Sequence, residues 1–187
     1  MKQEILETAI VIRDWALILD YWPQVTISET MFPAHLKYFT VSVSDDLRVL
    51  VYVIDALAKG EYAVPDRIIP FLPFSLLFIS QLDGEHERLW REYEQRYQTP
   101  LFFLAPDDQD LKDRIVMREN LASKLSDVIF FNAEDSLLLT WKLIVKQCLE
   151  NLELQNSKAK EKVAAEESQE QDNPQGGTSG TQDPVNQ

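Results

Sequence analysis

The chain has 187 residues, 45% of them hydrophobic, with a formal net charge of −13 and an isoelectric point near 4.5. That is enough apolar material for one domain with a real core, and the acidic balance repels nucleic-acid phosphate and anionic lipid, so neither is expected as a partner. Cys148 is the single cysteine, which excludes an intrachain disulfide and fits a reducing compartment. The start of the chain has no signal-peptide layout, and no apolar run approaches the ~20 residues that span a bilayer. A cytoplasmic protein without membrane insertion is therefore expected.

Met1–Trp22 has two readings. Its apolar residues fit one face of a helix, yet Thr8–Ile12 (TAIVI) also fits a buried strand with a short helix after it. Periodicity alone leaves both open, and Pro23 ends whichever forms. Val25–Pro33 reads as a connecting loop. Leu36–Ile54 is rich in β-branched and aromatic residues around a central Ser44-Asp45-Asp46. This predicts an antiparallel hairpin, its second strand interior and its first nearer an edge. Asp55–Pro73 reads as loop with a short helix.

Phe74–Ser80 (FSLLFIS) is short, almost wholly apolar, and fenced by Pro73 and by Asp83-Gly84. Such a run predicts a strand buried on both faces. Leu101–Leu104 and Val128–Phe131 repeat the pattern, with helices predicted over Gly84–Tyr97, Asp110–Leu125 and Ala133–Leu152. In the first of these, Leu89, Trp90, Tyr93 and Tyr97 form the apolar side, and Glu87–Arg91 and Glu92–Arg96 are i,i+4 pairs on the wet side. In the last, Leu137, Leu138, Trp141, Ile144, Val145, Cys148 and Leu152 are expected inward, with Asn132 as N-cap. The fold class is α/β: a mostly parallel sheet with one antiparallel hairpin and helices on both faces. From about Asn156 aromatics vanish and Glu, Gln, Ser, Gly and Pro take over. The expected organisation is a domain over 1–155 and a disordered acidic tail over 156–187.

From Leu36 onward this order resembles the Ras-like small GTPases, in particular the bacterial gliding-type and Arf-like branch. Leu36–Asp55 is similar to their second and third strands, Phe74–Ser80 to the fourth, Leu101–Leu104 to the fifth and Val128–Phe131 to the sixth. The resemblance implies that Thr8–Ile12 is the first strand, lying mid-sheet. It also implies a phosphate loop, GxxxxGK[ST], directly after that strand, whose backbone N–H groups and lysine hold phosphate. The chain has Arg13-Asp14-Trp15-Ala16-Leu17-Ile18 there, with no glycine, lysine or hydroxyl. The remaining family motifs survive only as remnants: Asp55 without its glycine, Asp108 without the preceding Asn-Lys, and Ala133 preceded by Asn132.

The resemblance therefore implies a pseudo-GTPase with no nucleotide cofactor, acting as a non-catalytic interaction protein or regulatory scaffold with a protein partner. Tyr38 and Thr40 on the hairpin would form the interaction surface, and Trp22 an exposed anchor. Two other readings stand beside it. An open α/β sheet binds ligands at the carboxyl ends of its strands, and here those ends are acidic, which suits a cation or amine. If Met1–Trp22 were one helix, the sheet would lack its middle strand and the chain would be a subunit that folds fully only in a complex. No metal site is expected. Asp107, Asp108 and Asp110 read as a turn and an acidic helix start. His35 and His86 stand alone without partners at ligand spacing, and Cys148 falls on an apolar stripe.

Overall fold

The computed structural model describes residues 3–31, 36–55, 64–80, 84–117 and 128–172. His35 and the side chain of His86 lie outside that set, as do residues 118–127 of the expected third helix and 173–187 of the expected tail. Seven strands form one sheet in the order β2-β3-β4-β1-β5-β6-β7. In chain order these are β1 (Glu4–Ile12), β2 (Ser28–Glu29), β3 (Lys37–Ser42), β4 (Leu47–Asp55), β5 (Ser75–Phe78), β6 (Leu101–Pro106) and β7 (Val128–Phe131). The helices are α1 (Leu17–Tyr21), α2 (Pro65–Ile68, continued by a 3-10 turn over Ile69–Phe71), α3 (Gly84–Arg96), α4 (Gln109–Met117) and α5 (Leu137–Asp172).

The ambiguous first segment is a strand. β1 runs parallel to β4 from the Glu4–Leu47 pair to the Ile12–Asp55 pair, and parallel to β5 through Ile10–Leu76 and Val11–Leu77. It therefore lies between the hairpin and the FSLLFIS strand, and the sheet has its middle strand. β3 and β4 form the antiparallel hairpin, with Phe39 opposite Val51 and Val41 opposite Val49. The Ser44 hydroxyl accepts from the N–H groups of Asp46 and Leu47 and holds the turn. The expected loop at 25–33 contains one short strand, because Ser28 and Glu29 pair with Tyr38 and Lys37.

Successive side chains of a strand point to opposite faces, and this sheet is covered on both. Ala9, Val11, Ile54, Leu77, Ile79, Phe103 and Ala105 pack beneath α2, α3 and α4, where Ile69, Trp90, Tyr93, Leu111 and Ile115 are buried. The ring of Trp90 meets Phe103 edge-on at 5.5 Å. The opposite face is aromatic: Trp22 and Trp141 pack on each other at 5.3 Å and on Phe39 and Phe131 of the sheet. That is the physical content of the FSLLFIS run, whose strand residues Ser75–Phe78 are all buried. The hydroxyl of Thr8 donates to the carbonyl of Phe74 at 3.0 Å and pins the start of β5 to β1.

Three expectations about α5 change. The helix starts at Leu137, four residues later than expected, and Ser136 is the cap: its hydroxyl accepts from Leu139 N–H at 3.2 Å. Asn132 instead turns the chain, accepting from Glu134 N–H at 2.9 Å. The inward stripe takes Thr140 (2% exposed) in place of Leu138 (43% exposed). The helix also continues to Asp172, through a stretch expected to be disordered. Residues 153–166 are all exposed, and residues 149–172 contain no Gly or Pro and many Glu, Lys, Ala and Gln. A helix already nucleated in the domain propagates through such residues at little cost. Compact packing divides the chain after Cys148, into units 1–148 and 149–187. Among the described residues no helix is long and apolar enough to cross a membrane.

Candidate functional site at the sheet crest

In an open α/β sheet the ligand crevice lies beyond the carboxyl ends of the strands. Here that crest is built from Arg13–Ala16 after β1, Asp55 at the end of β4, Ile79-Ser80 after β5, Asp107-Asp108 after β6 and Asn132-Ala133 after β7. Ile79 N–H donates to Leu104 carbonyl at 2.8 Å, and Asp107 N–H donates to Phe131 carbonyl at 2.7 Å, so the loops after β5 and β6 are tied to the neighbouring strands.

The turn after β1 is where the sheet would present backbone N–H groups to an anion. In this chain Asp14 occupies that turn. Its carboxylate accepts from Ala16 N–H at 3.0 Å, and its carbonyl accepts from Leu17 N–H at 3.0 Å. Ile18 N–H donates to the Trp15 carbonyl at 3.0 Å. The amides from Ala16 to Ile18 are thus bonded within the turn, and the carboxylate puts negative charge where phosphate would bring its own. The helix that follows is only five residues long, so its dipole adds little. Trp15 is half-buried, and the Lys37 ammonium sits 4.8 Å from its ring centre while pairing with Glu29 at 3.1 Å.

The motif remnants serve local structure. Asp108 caps α4, its carboxylate accepting from Asp110 N–H at 3.0 Å and its carbonyl from Lys112 N–H at 3.0 Å. Asp107 pairs with the Lys112 ammonium at 2.6 Å, and the same ammonium lies 4.8 Å from the Phe130 ring centre. Asp55 is half-buried opposite Ile12, and Ala133 is exposed. Burial, then the charges of Asp20 and Asp108, push the Tyr21 phenol above its ordinary range. Among the described residues no group of three or more His, Cys, Asp or Glu is placed to hold a metal ion. Cys148 is fully buried and its thiol is pushed up to about 12 by desolvation, so it packs as a small apolar residue.

The proposed interaction residues divide. Tyr38 and Thr40 lie on the half-exposed face of β3, alternating with buried Phe39 and Val41. Tyr38 sits opposite Tyr52, whose hydroxyl donates to Glu7 at 3.3 Å, and Thr40 accepts from the Arg48 guanidinium at 3.1 Å. Trp22 does not belong with them. It is 2% exposed, enclosed by Tyr21, Phe39, Phe78, Phe131 and Trp141. Its neighbours Tyr21 and Pro23 suggested a surface aromatic, but the aromatic face of the sheet has room for it and α1 turns it inward.

Sequence reasoning missed an ionic contact between α2 and α3. Arg96 at the end of α3 donates from Nε to Asp66 of α2 at 2.8 Å and from Nη2 to its second oxygen, and Tyr97 donates to the same carboxylate at 2.8 Å. The partners are thirty residues apart. Helical spacing assigned Arg96 to Glu92 and carried no signal for the longer reach.

No protein-family model matches the chain, and no curated protein does. A solved structure does: the G domain of the T. maritima FeoB iron transporter, at a TM-score of 0.52 and 11% identity, covering 78% of this chain and 99% of that one. The likeness shows the fold. This chain has a Ras-like G-domain fold, with a seven-stranded mixed sheet, parallel but for the hairpin side. The strand order bears out the resemblance read from sequence at that level.

Proposed function

We propose that this chain is a non-catalytic protein-interaction module or regulatory scaffold on a G-domain fold, and that it takes no guanine nucleotide. One observation carries the reading: the Asp14 carboxylate accepts the Ala16 N–H in the turn where a G domain offers its amides to phosphate. The sequence adds to it, since no GxxxxGK[ST] occurs anywhere in the chain. Backbone amides already bonded, a like charge and no lysine each weigh against binding a triphosphate. Fold alone assigns no activity, so the reading rests on the chemistry of the crest.

The partner surface that fits is the β3 side of the hairpin. Among the described residues β2 pairs with Lys37 and Tyr38 alone, and beyond it Phe39–Ser42 have no described strand on their outer side. An uncovered edge is a standing template for another chain. Half-exposed Thr40 gives that edge a hydroxyl contact, and half-exposed Tyr38 adds an aromatic one beside it, where β2 ends.

Calorimetric titration with GTP and GDP in magnesium tests the first part. The expected result is no binding heat at protein concentrations of tens of micromolar; micromolar affinity for either nucleotide overturns the proposal. For the surface, Tyr38→Glu and Thr40→Glu are expected to weaken partner capture at least tenfold, about 1.4 kcal/mol, while leaving the fold intact. Undiminished capture by both variants moves the interface elsewhere.

A further inference from the structure

A cavity of about 180 Å³ opens on the α2 side of the sheet, between that helix and the hairpin. Its floor is apolar: Leu36, Ile68 and Leu72 line it, and all three are buried. Tyr52 of β4 forms a wall, and its hydroxyl donates to Glu7 at 3.3 Å. The rim carries Phe71, 81% exposed, and the exposed Arg67. Arg67 makes no ion pair among the described residues, since its neighbour Asp66 is taken up by Arg96 and Tyr97. Those bonds hold α2 in place, and the Thr99 hydroxyl donates to the Ile69 carbonyl at 3.2 Å. The cavity is therefore preformed, which lowers the ordering cost of filling it.

We propose that this cavity takes one aromatic side chain of a partner protein, and that Arg67 pairs with a carboxylate beside that side chain. The proposal rests on the interaction-module reading above and names the partner's chemistry. Size decides against a whole small molecule, because such sites enclose ~300–1,000 Å³. A cavity on the order of 150 Å³ takes a benzene ring, so this one seats a single ring. Aromatic side chains anchored in apolar pockets carry much of the binding energy of protein interfaces. Phe71 at the rim supplies a second ring for an offset or edge contact.

Charge decides the flank. A guanidinium matches a carboxylate in a two-pronged pair, and Arg67 is open to such a partner. The acid on the rim, Glu7, already accepts from Tyr52. The net charge of −13 repels an acidic segment at long range. At physiological salt that field decays within ~8 Å, whereas the Arg67 pair forms in contact. Tyr52 lies directly opposite half-exposed Tyr38, so the two share one face of the sheet. A partner anchored here therefore reaches the β3 surface as well.

Chemical-shift titration of the full chain tests this with two end-capped tripeptides, glutamate–phenylalanine–glutamate and lysine–phenylalanine–lysine. The acidic peptide is expected to shift the amides of Tyr52, Ile68 and Leu72 saturably in the millimolar range, and to bind at least tenfold tighter than the basic one. Arg67→Glu is expected to reverse that order, and Phe71→Ala to weaken both peptides; both positions are exposed, so the fold is kept. Silence of those amides to both peptides overturns the proposal. So does an acidic preference that survives Arg67→Glu, or a basic preference in the unaltered chain. Shifts at the same amides on concentrating the chain without peptide assign the cavity to a second copy and overturn it too. Calorimetric binding of GTP or GDP overturns the interaction-module reading and this proposal with it. Silence to the peptides in a chain that takes no nucleotide overturns this proposal alone.

Discussion

Trp22 contributes to the fold through its position in an aromatic layer. It touches residues from β3, β5, β7 and α5, which ties the short α1 turn to the far side of the sheet. Trp22→Ala should therefore cost about 3–5 kcal/mol, the range for deleting a large buried aromatic. The same variant should not alter partner capture beyond what lost stability explains. Chemical denaturation of the purified variant reads the first number. A loss under 1 kcal/mol would mean the aromatic layer closes over the gap or is loosely packed. Local pattern could not place this residue. Tyr21, Trp22 and Pro23 look the same in sequence whether they cap a loop or fill a core, and the choice was made by Phe39, Phe78, Phe131 and Trp141, all distant along the chain. Asp14 was the opposite case. Its like charge was readable from sequence, and the turn it forms needs only the amide two residues on.

The elements legible in the sequence were those with one dominant signal. FSLLFIS, the β3–β4 hairpin and α3 are set by periodicity and punctuation within ten or twenty residues, and the structure keeps them within a few positions. Contacts between elements were not legible, and the clasp of α2 on α3 shows why. Hydrogen bonds from Arg96 and then Tyr97 hold the Asp66 carboxyl at about 2, below its ordinary 3.8. A depressed carboxyl stabilises the folded state in full above its unfolded value and loses that contribution as pH falls through the folded one. Asp66→Asn should therefore lower the urea midpoint at pH 5 to 7, and the gap should close between pH 3.8 and about 2. The clasp is solvent-exposed, so the gap will be small and will shrink further in salt. A gap that persists unchanged to the lowest pH would assign the effect to packing of α2 and not to the ion pair.

At the scale of the whole molecule, stability is graded from the sheet outward. β1 has a paired strand on each side and helices over both faces, and Ala9, Ile10 and Val11 are fully buried. Residues 153–166 have helical hydrogen bonds but no buried side chain. Isolated helices of that length are marginal in water, and this one persists by propagation from its packed first turns. Amide exchange should separate the two regimes. In dilute solution, amides of Ala9–Ile12 should exchange only through global unfolding, and those of residues 153–166 by local fraying, orders of magnitude faster. Protection over 153–166 that is high at every dilution would mean that this stretch packs within its own chain.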